Sequence, residues 1–360
     1  MTARMKDIAR DLGVSVVTVS KVLRNHDDIS PATRGRVLKR AKELNYQPNP
    51  AARTLVTGRT HLMGLVVPDL THTFFAQVAK GATRILRKKG YGLIISSSEE
   101  DPDLEKEEID QMLARRLDAL IIASAQWTAE TFRRIEEQQR PYILLDRKFA
   151  GLAANFVGVD DKTVGAMATK HLIENGCRRI AYIGGKYVST AVERLDGYRS
   201  TMAANGLFVP EQYVVCRSHS DDSADLTGYD AMKGLLQLKP LPDGVFCFND
   251  PVAMGAMKAI LEAGLRIPED IAIIGCGNLR YASALRVPLS SIDQDSESMG
   301  ERAAKLALAL VESKGTVKPK SILLRPQLIA RESSMRSVGS HAADESKHPA
   351  MKSFYRESNR

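Results

Sequence analysis

From His61 to about Ser334 the chain alternates short apolar runs with amphipathic stretches of helical period, and nothing else in it constrains the fold as strongly. The apolar runs are Leu62–Val67, Gly92–Ser96, Ala119–Ala123, Tyr142–Leu145, Phe156–Val159, Ile180–Ile183, Val245–Phe248 and Ile271–Ile274. Helical stretches between them include Thr73–Lys88, Asp103–Arg115, Lys162–Glu174, Thr190–Asn205, Leu226–Leu236 and Pro251–Ala263. Strand–helix alternation makes a parallel sheet covered on both faces, and such strands read as continuous apolar runs. About ten strands overfill one sheet, so two doubly wound parallel-sheet subdomains are expected. The chain should cross between them near residues 160 and 291. Ligands of open α/β sheets bind beyond the carboxyl ends of the strands, which places an expected site in the cleft between the subdomains.

The first 60 residues follow a different pattern. Residues 1–47 read as a small all-α module, with short helices, tight turns and no strand. Ile8, Ala9 and Leu12 mark one face of a first helix, and Gly13 stands where the chain must turn sharply. Ser15 is a good N-cap for a second helix, Val16 to Arg24. Val19, Val22 and Leu23 fall on one side of it, with Val16, Val17, Ser20, Lys21 and Arg24 on the other. That exposed face suits a major-groove reader: valines can touch thymine methyls, while Lys21 and Arg24 can reach guanine edges or phosphates. A third helix starts at Ser30-Pro31, with Ser as cap and Pro at the first helical position. A helical protein-interaction module with a solvated basic face is the competing reading.

Charge favours the first of these. Of the net +8, residues 1–60 hold twelve Lys and Arg against five Asp and Glu, whereas residues 61–335 hold 34 against 35. A basic excess confined to one small module is the footprint of a nucleic-acid partner. Residues 48–60 form a connector with Pro48 and Pro50 at its head. The stretch Ala51 to Val56 allows one or two helical turns, too short to be stable alone. The tail, 336–360, is polar and unpatterned and reads as disordered.

The runs KDIARDLGVSVVTVSKVLRN and ISPATRGRVLKRAKELNYQPNPAARTLVTGRT resemble the headpiece and hinge of the lac repressor/galactose repressor family. The resemblance covers residues 4–60 almost without gaps and the core more loosely, to about Ser334. It implies a helix-turn-helix headpiece on a core like a periplasmic-binding-protein clamp. It also implies a homodimer on a near-palindromic double-stranded operator, with an effector that alters DNA affinity. Ser15, Thr18 and Ser20 match backbone or base contacts, Val16 and Val17 the pair that sets operator preference. Asn49, Ala52 and Leu55 match hinge residues that enter the minor groove. In the core it implies Asp69, Phe74, Phe75, Asp146, Thr190, Arg194, Asn249, Asp250 and Gln294 as effector-binding residues. Local structure offers competing roles: core packing for Phe74 and Phe75, an ion pair with Arg147 for Asp146, a helix cap for Asp250. One departure stands out: IIGCGNL carries Cys276 and Gly277 where the family usually reads Tyr-Asp, and that Asp commonly grips the effector.

The remaining features exclude more than they assert. No apolar run approaches the roughly 20 residues a membrane span needs, and no export signal is visible, so a cytoplasmic protein is expected. Cys177, Cys216, Cys247 and Cys276 are far apart and lack metal-ligand spacing, which implies reduced thiols and no metal. No GxSxG, HExxH or complete phosphate-binding loop occurs; Gly184-Gly185-Lys186 is only a fragment of the last. The expectation is a regulator, not an enzyme, with no cofactor. The alternative is a cytosolic sugar-binding or sugar-modifying protein with a protein-interaction headpiece. Residues 336–360 show no apolar heptads, so a tetramer formed through the tail is weakly encoded.

Overall fold

The computed structural model describes residues 3–23, 26–47, 54–55, 57–217, 224–313, 315 and 318–336. Contacts divide the chain into two compact units, Met1–His61 and Leu62–Arg360.

The first unit holds helices α1 (Met5–Leu12), α2 (Val16–Leu23) and α3 (Pro31–Glu43). Local chemistry sets their ends. Gly13 takes φ 65 at the end of α1, and the Val14 N–H reaches back to the Ala9 carbonyl at 3.1 Å. Ser15 Oγ accepts from the Thr18 N–H at 3.0 Å and caps α2, and Ser30 Oγ caps α3 from the Thr33 N–H at 3.3 Å. Ile8, Ala9, Val19, Val22, Val37 and Ala41 close into one small core. The expected helix end at Arg24 lies outside the described residues, as do Pro48 to Arg53 and the tail beyond Arg336. Of the hinge stretch, Thr54 and Leu55 are helical.

The second unit contains two six-stranded sheets. The first sheet is built from β1 (Leu62–Val67), β2 (Gly92–Ser97), β3 (Ala119–Ile122), β4 (Tyr142–Leu145), β5 (Asn155–Val159) and β11 (Ser321–Leu324). Its order is β11-β5-β4-β3-β1-β2, all parallel. The second is built from β6 (Ile180–Gly185), β7 (Val214–Arg217), β8 (Gly244–Cys247), β9 (Ala272–Cys276), β10 (Ser290–Asp293) and β12 (Gln327–Ile329). Its order is β12-β10-β9-β8-β6-β7, parallel except for β12. Alternate residues pack on opposite faces: Met63, Leu65 and Val67 join one core cluster, Val66 another. Burial on both faces is what erased the polar alternation from these strands.

Two crossings between the sheets were expected, and there are three. The chain leaves the first sheet after Val159, returns after Asp293, and crosses again between Leu324 and Gln327. The third was hidden because β11 and β12 are short strands only half-buried at sheet edges, without a continuous apolar run.

The helices of this unit are α4 (Thr73–Lys88), α5 (Pro102–Ala114), α6 (Glu130–Glu137), α7 (Asp161–Glu174), α8 (Ser189–Ala204), α9 (Ala224–Leu235), α10 (Asp250–Glu262) and α11 (Ser296–Glu312). Three pairs pack closely, α4 with α11, α7 with α8 and α9 with α10. Each crosses at two facing glycines. A Cβ on Gly81 or Gly300 would collide with the backbone of Glu297 or Val78, and one on Gly165 or Gly197 with that of Arg194 or Lys162. Gly228 and Gly255 meet the backbone of Val252 and Asp225 in the same way. Only glycine permits backbones this close.

Candidate functional site

In the headpiece, α2 buries Val19 and Val22 and exposes the opposite face. Val17 is 63% exposed and Val16 37%. β-Branched side chains held in water on a capped helix have no folding role here, which leaves recognition as their use. Ser15 and Thr18 share a hydroxyl–hydroxyl bond at 2.9 Å, so Thr18 is held by the cap. Lys21 Nζ is ion-paired with Asp28. Its ammonium is therefore tethered rather than extended. Leu55 is 88% exposed. Arg24, Asn49 and Ala52 lie outside the described residues.

In the core, the carboxyl ends of strands from both sheets surround a cavity of about 330 Å³. β1 leads to Asp69, β4 to Asp146, β8 to Asn249, β9 ends in Cys276, and β10 leads to Gln294. This is where the order of each sheet reverses, beside β1 in one and β6 in the other. Of the nine expected effector residues, Asp69, Phe74, Phe75, Asp146, Arg194, Asn249 and Gln294 line the cavity.

The other two do not line it. Asp250 is fully buried, its carboxylate accepting from Ser291 Oγ at 2.6 Å and the Leu279 N–H at 2.8 Å. Nor does it cap its helix: Asn249 does, accepting from the Val252 N–H at 2.9 Å. Burial pushes the Asp250 carboxyl up to about 6 against those hydrogen bonds. Thr190 is 1% exposed and sits behind the wall. An alternating strand-end pattern does not say which of two adjacent polar residues faces inward.

Phe74 and Phe75 serve both roles assigned to them. They are 4% and 6% exposed, belong to the core and also face the cavity. Asp146 is not paired with Arg147. Arg147 instead donates from Nη1 and Nη2 to Glu100 at 2.8 and 2.6 Å. Asp146 takes φ 62 directly after β4. Burial pushes its carboxyl up, while the charges of Arg194 and Arg147 and the Gln294 amide pull it down.

Arg194 is also more committed than expected. Its Nε donates to Asp161 at 2.8 Å and its Nη1 to the Phe248 carbonyl at 2.7 Å, with the Phe248 ring centroid 4.7 Å away. Cys276 faces the cavity as a thiol, pushed up to about 12 by burial, and its Sγ donates to Gln294 at 3.5 Å. Gly277 takes φ 122, a conformation that L side chains rarely adopt. The missing carboxylate is thus coupled to a backbone turn that an aspartate would strain.

Sequence reasoning missed His72, Glu100, Arg147 and Phe248, all of which line the cavity. Each lies within five residues of a strand's carboxyl end, so position alone was the available signal. The Gly184-Gly185-Lys186 fragment is no phosphate loop: the Tyr182 ring occupies the space over Gly184. Among the described residues no cluster could hold a metal ion, and no helix is long and apolar enough to cross a membrane.

Comparison with known proteins converges on one family. Residues 4–49 match the family of bacterial regulatory proteins called the lacI family, and residues 169–334 match a periplasmic binding protein-like domain. The ribose operon repressor of Escherichia coli K12 is 32% identical over 336 residues, 92% of this chain and 99% of that one. Among solved structures, a transcriptional regulator CelR–cellobiose complex is 30% identical with TM-score 0.70, covering 92% of this chain and 99% of that one. A lac repressor dimer bound to operator shares the fold, with TM-score 0.82 at 24% identity over 93% of this chain and all of that one. The alternative of a sugar-modifying protein with a protein-interaction headpiece finds no support in these matches. A capped helix offering valines to solvent and a ligand-sized cavity at strand ends agree with them, and the chain belongs to the lacI family of DNA-binding bacterial transcriptional regulators.

Proposed function

We propose that the chain is a cytoplasmic, homodimeric repressor, without catalytic activity, whose operator affinity is set by a small neutral sugar in the core cavity. Ser15, Val16, Val17, Thr18, Ser20, Lys21 and Arg24 form the major-groove reader in this reading, and Asn49, Ala52 and Leu55 the minor-groove hinge. Asp69, Asp146, Arg194, Asn249 and Gln294 are the polar contacts of the effector.

The observation that carries the choice of ligand is the balance of the lining. Carboxylates of Asp69, Glu99, Glu100 and Asp146 outnumber the guanidinium groups of Arg147 and Arg194, both of which are already engaged by protein acceptors. An anionic ligand would meet like charge. Hydroxyl groups suit carboxylate acceptors, and the rings of Phe74, Phe75 and Phe248 offer flat apolar surface to a sugar's C–H face. The volume is at the lower end of ligand sites, about 300–1,000 Å³. A relative is a ribose operon repressor and a structural neighbour holds cellobiose, which agrees with this class.

Calorimetry on the full chain with D-ribose, D-glucose, cellobiose, D-gluconate and hypoxanthine tests the reading. A neutral sugar should bind and alter the affinity for an operator obtained by selection from random DNA. Tightest binding of gluconate or hypoxanthine, with the sugars silent, would overturn it. Linkage requires that a ligand preferring one arrangement of the core change DNA affinity reciprocally, and either sign satisfies that requirement.

A further inference from the structure

Two helix caps meet inside the cavity. His72 precedes α4, and its Nδ1 accepts from the Phe74 N–H at 3.3 Å. Asn249 precedes α10, and its Oδ1 accepts from the Val252 N–H at 2.9 Å. Each residue spends its acceptor on its own helix, and the atoms left facing each other are His72 Nε2 and Asn249 Nδ2, 3.5 Å apart. One belongs to the segment after β1 in the first sheet, the other to the segment after β8 in the second.

Donor and acceptor counts fix the protons. A neutral imidazole has one donor and one acceptor nitrogen. A proton on Nδ1 would point at the Phe74 N–H and at the positive end of the α4 dipole, so the bare nitrogen belongs there. The proton sits on Nε2, facing an amide NH2 whose orientation the α10 cap has fixed. The imidazole is neutral in ordinary buffer: burial pulls it down to about 4, helped by Arg147 and Arg194 and opposed by Asp69 and Glu100.

We infer that His72 Nε2–H and Asn249 Nδ2–H are paired donors for a single uncharged acceptor oxygen of the effector, which bridges the two halves of the core. Empty, the pair is two N–H groups facing each other across a gap. Filled by a hydroxyl or ring oxygen, both donors are satisfied at once, and the ligand gains a contact that exists only when the two halves stand at this separation. His72 is thereby a specificity-determining residue, and the bridge gives the effector differential affinity for one arrangement of the halves. This rests on the sugar reading for the identity of the oxygen, but not for the donor pair itself.

The test uses the full chain labelled with nitrogen-15 histidine, with His72→Ser identifying the His72 signals among the seven histidines. Serine retains a cap oxygen for α4 and removes the cleft-facing donor. The free wild-type chain should show His72 protonated on Nε2. His72→Ser should keep its melting temperature and bind the sugar that binds wild type, D-ribose or D-glucose, at least about tenfold more weakly. His72→Asn, which retains both a cap oxygen and a donor, should recover part of that loss. One monodeoxy form of that sugar should be penalised in wild type and not in His72→Ser, marking the bridging oxygen. An Nδ1-protonated His72, unchanged affinity in His72→Ser, or identical deoxy penalties in both chains would overturn the inference. Silence of both sugars overturns the sugar reading alone, since the tautomer in the free chain decides the donor pair by itself.

Discussion

Arg194 shows how a residue can be placed correctly and still be given the wrong first role. Its position at the cavity suggested a two-bond donor to the effector, but Nε and Nη1 are used by Asp161 and the Phe248 carbonyl. Both members of the ion pair are 3% exposed. Burial pushes the Asp161 carboxyl up to about 7 even beside the Arg194 charge. Removing the guanidinium would leave that carboxyl and Asp146 buried with no compensating cation between them. Arg194→Ala is therefore expected to cost about 3–5 kcal/mol of folding stability, beyond any loss of ligand affinity. Urea denaturation without ligand reads this out, and a midpoint equal to wild type would return Arg194 to a purely ligand-binding role. Gly277 carries the complementary lesson. Its φ of 122 ties the absence of a carboxylate to the backbone, so effector preference and turn geometry cannot be separated by one substitution there.

At the scale of elements, the recurring device is a helix crossing made by two facing glycines. The pair on α7 and α8 brings Gly165 against the Arg194 carbonyl and Gly197 against that of Lys162. That approach sets how close Asp161, the first residue of α7, stands to the Arg194 side chain. A methyl group at Gly165 has no flexible neighbour to displace, only backbone. Gly165→Ala should destabilise the chain by about 1–3 kcal/mol and weaken effector binding, because α8 must shift with Arg194 on it. Gly234 in α9 is the control, with nothing within 4 Å of an added Cβ. Gly234→Ala should be neutral or stabilise by about 0.4–1 kcal/mol, chiefly by restricting the unfolded chain. Parallel chemical denaturation of the two variants decides, and equal effects would mean that the crossing tolerates separation.

For the whole molecule, the division of charge matters most. The basic excess lies in residues 1–60, while residues 61–335 are close to neutral. Operator affinity is accordingly expected to fall steeply with salt, on the order of a thousandfold between about 50 and 200 mM if some six phosphates are neutralised. The internal pairs Lys21–Asp28 and Arg40–Asp11 make a much steeper slope unexpected. Effector affinity, which depends on hydroxyl contacts in a buried cavity, should hardly change over the same range. Salt titration of both equilibria tests the partition. A flat DNA curve would mean that the headpiece does not grip phosphates.

Features set by local chemistry are legible in the residues themselves. Leu62–Val67 and Thr73–Lys88 are delimited to the residue, because a fully buried strand and a capped amphipathic helix each write their period into a few neighbouring positions. Ser15, Gly13 and Ser30-Pro31 announce the headpiece helices in the same way. The α11 helix escapes because its inner face is Gly300, Ala303, Ala304 and Ala307, small residues that allow closeness to α4 and are too weakly apolar to mark a stripe. β10 escapes because it opens on two serines that bond to Ser333, Arg331 and Asp250. The sequence by itself therefore determined the class of the two units, the partner of the first, and the strand ends at which a ligand would sit. Tertiary structure alone decided that Arg147 holds Glu100, that Arg194 holds Asp161, that Asp250 faces away, and that His72 meets Asn249 from 177 residues away. The physical reason is the same in each case: a cap or a period acts over a few residues and leaves a local pattern. A pairing between distant side chains is created only when the sheets bring their carboxyl ends together.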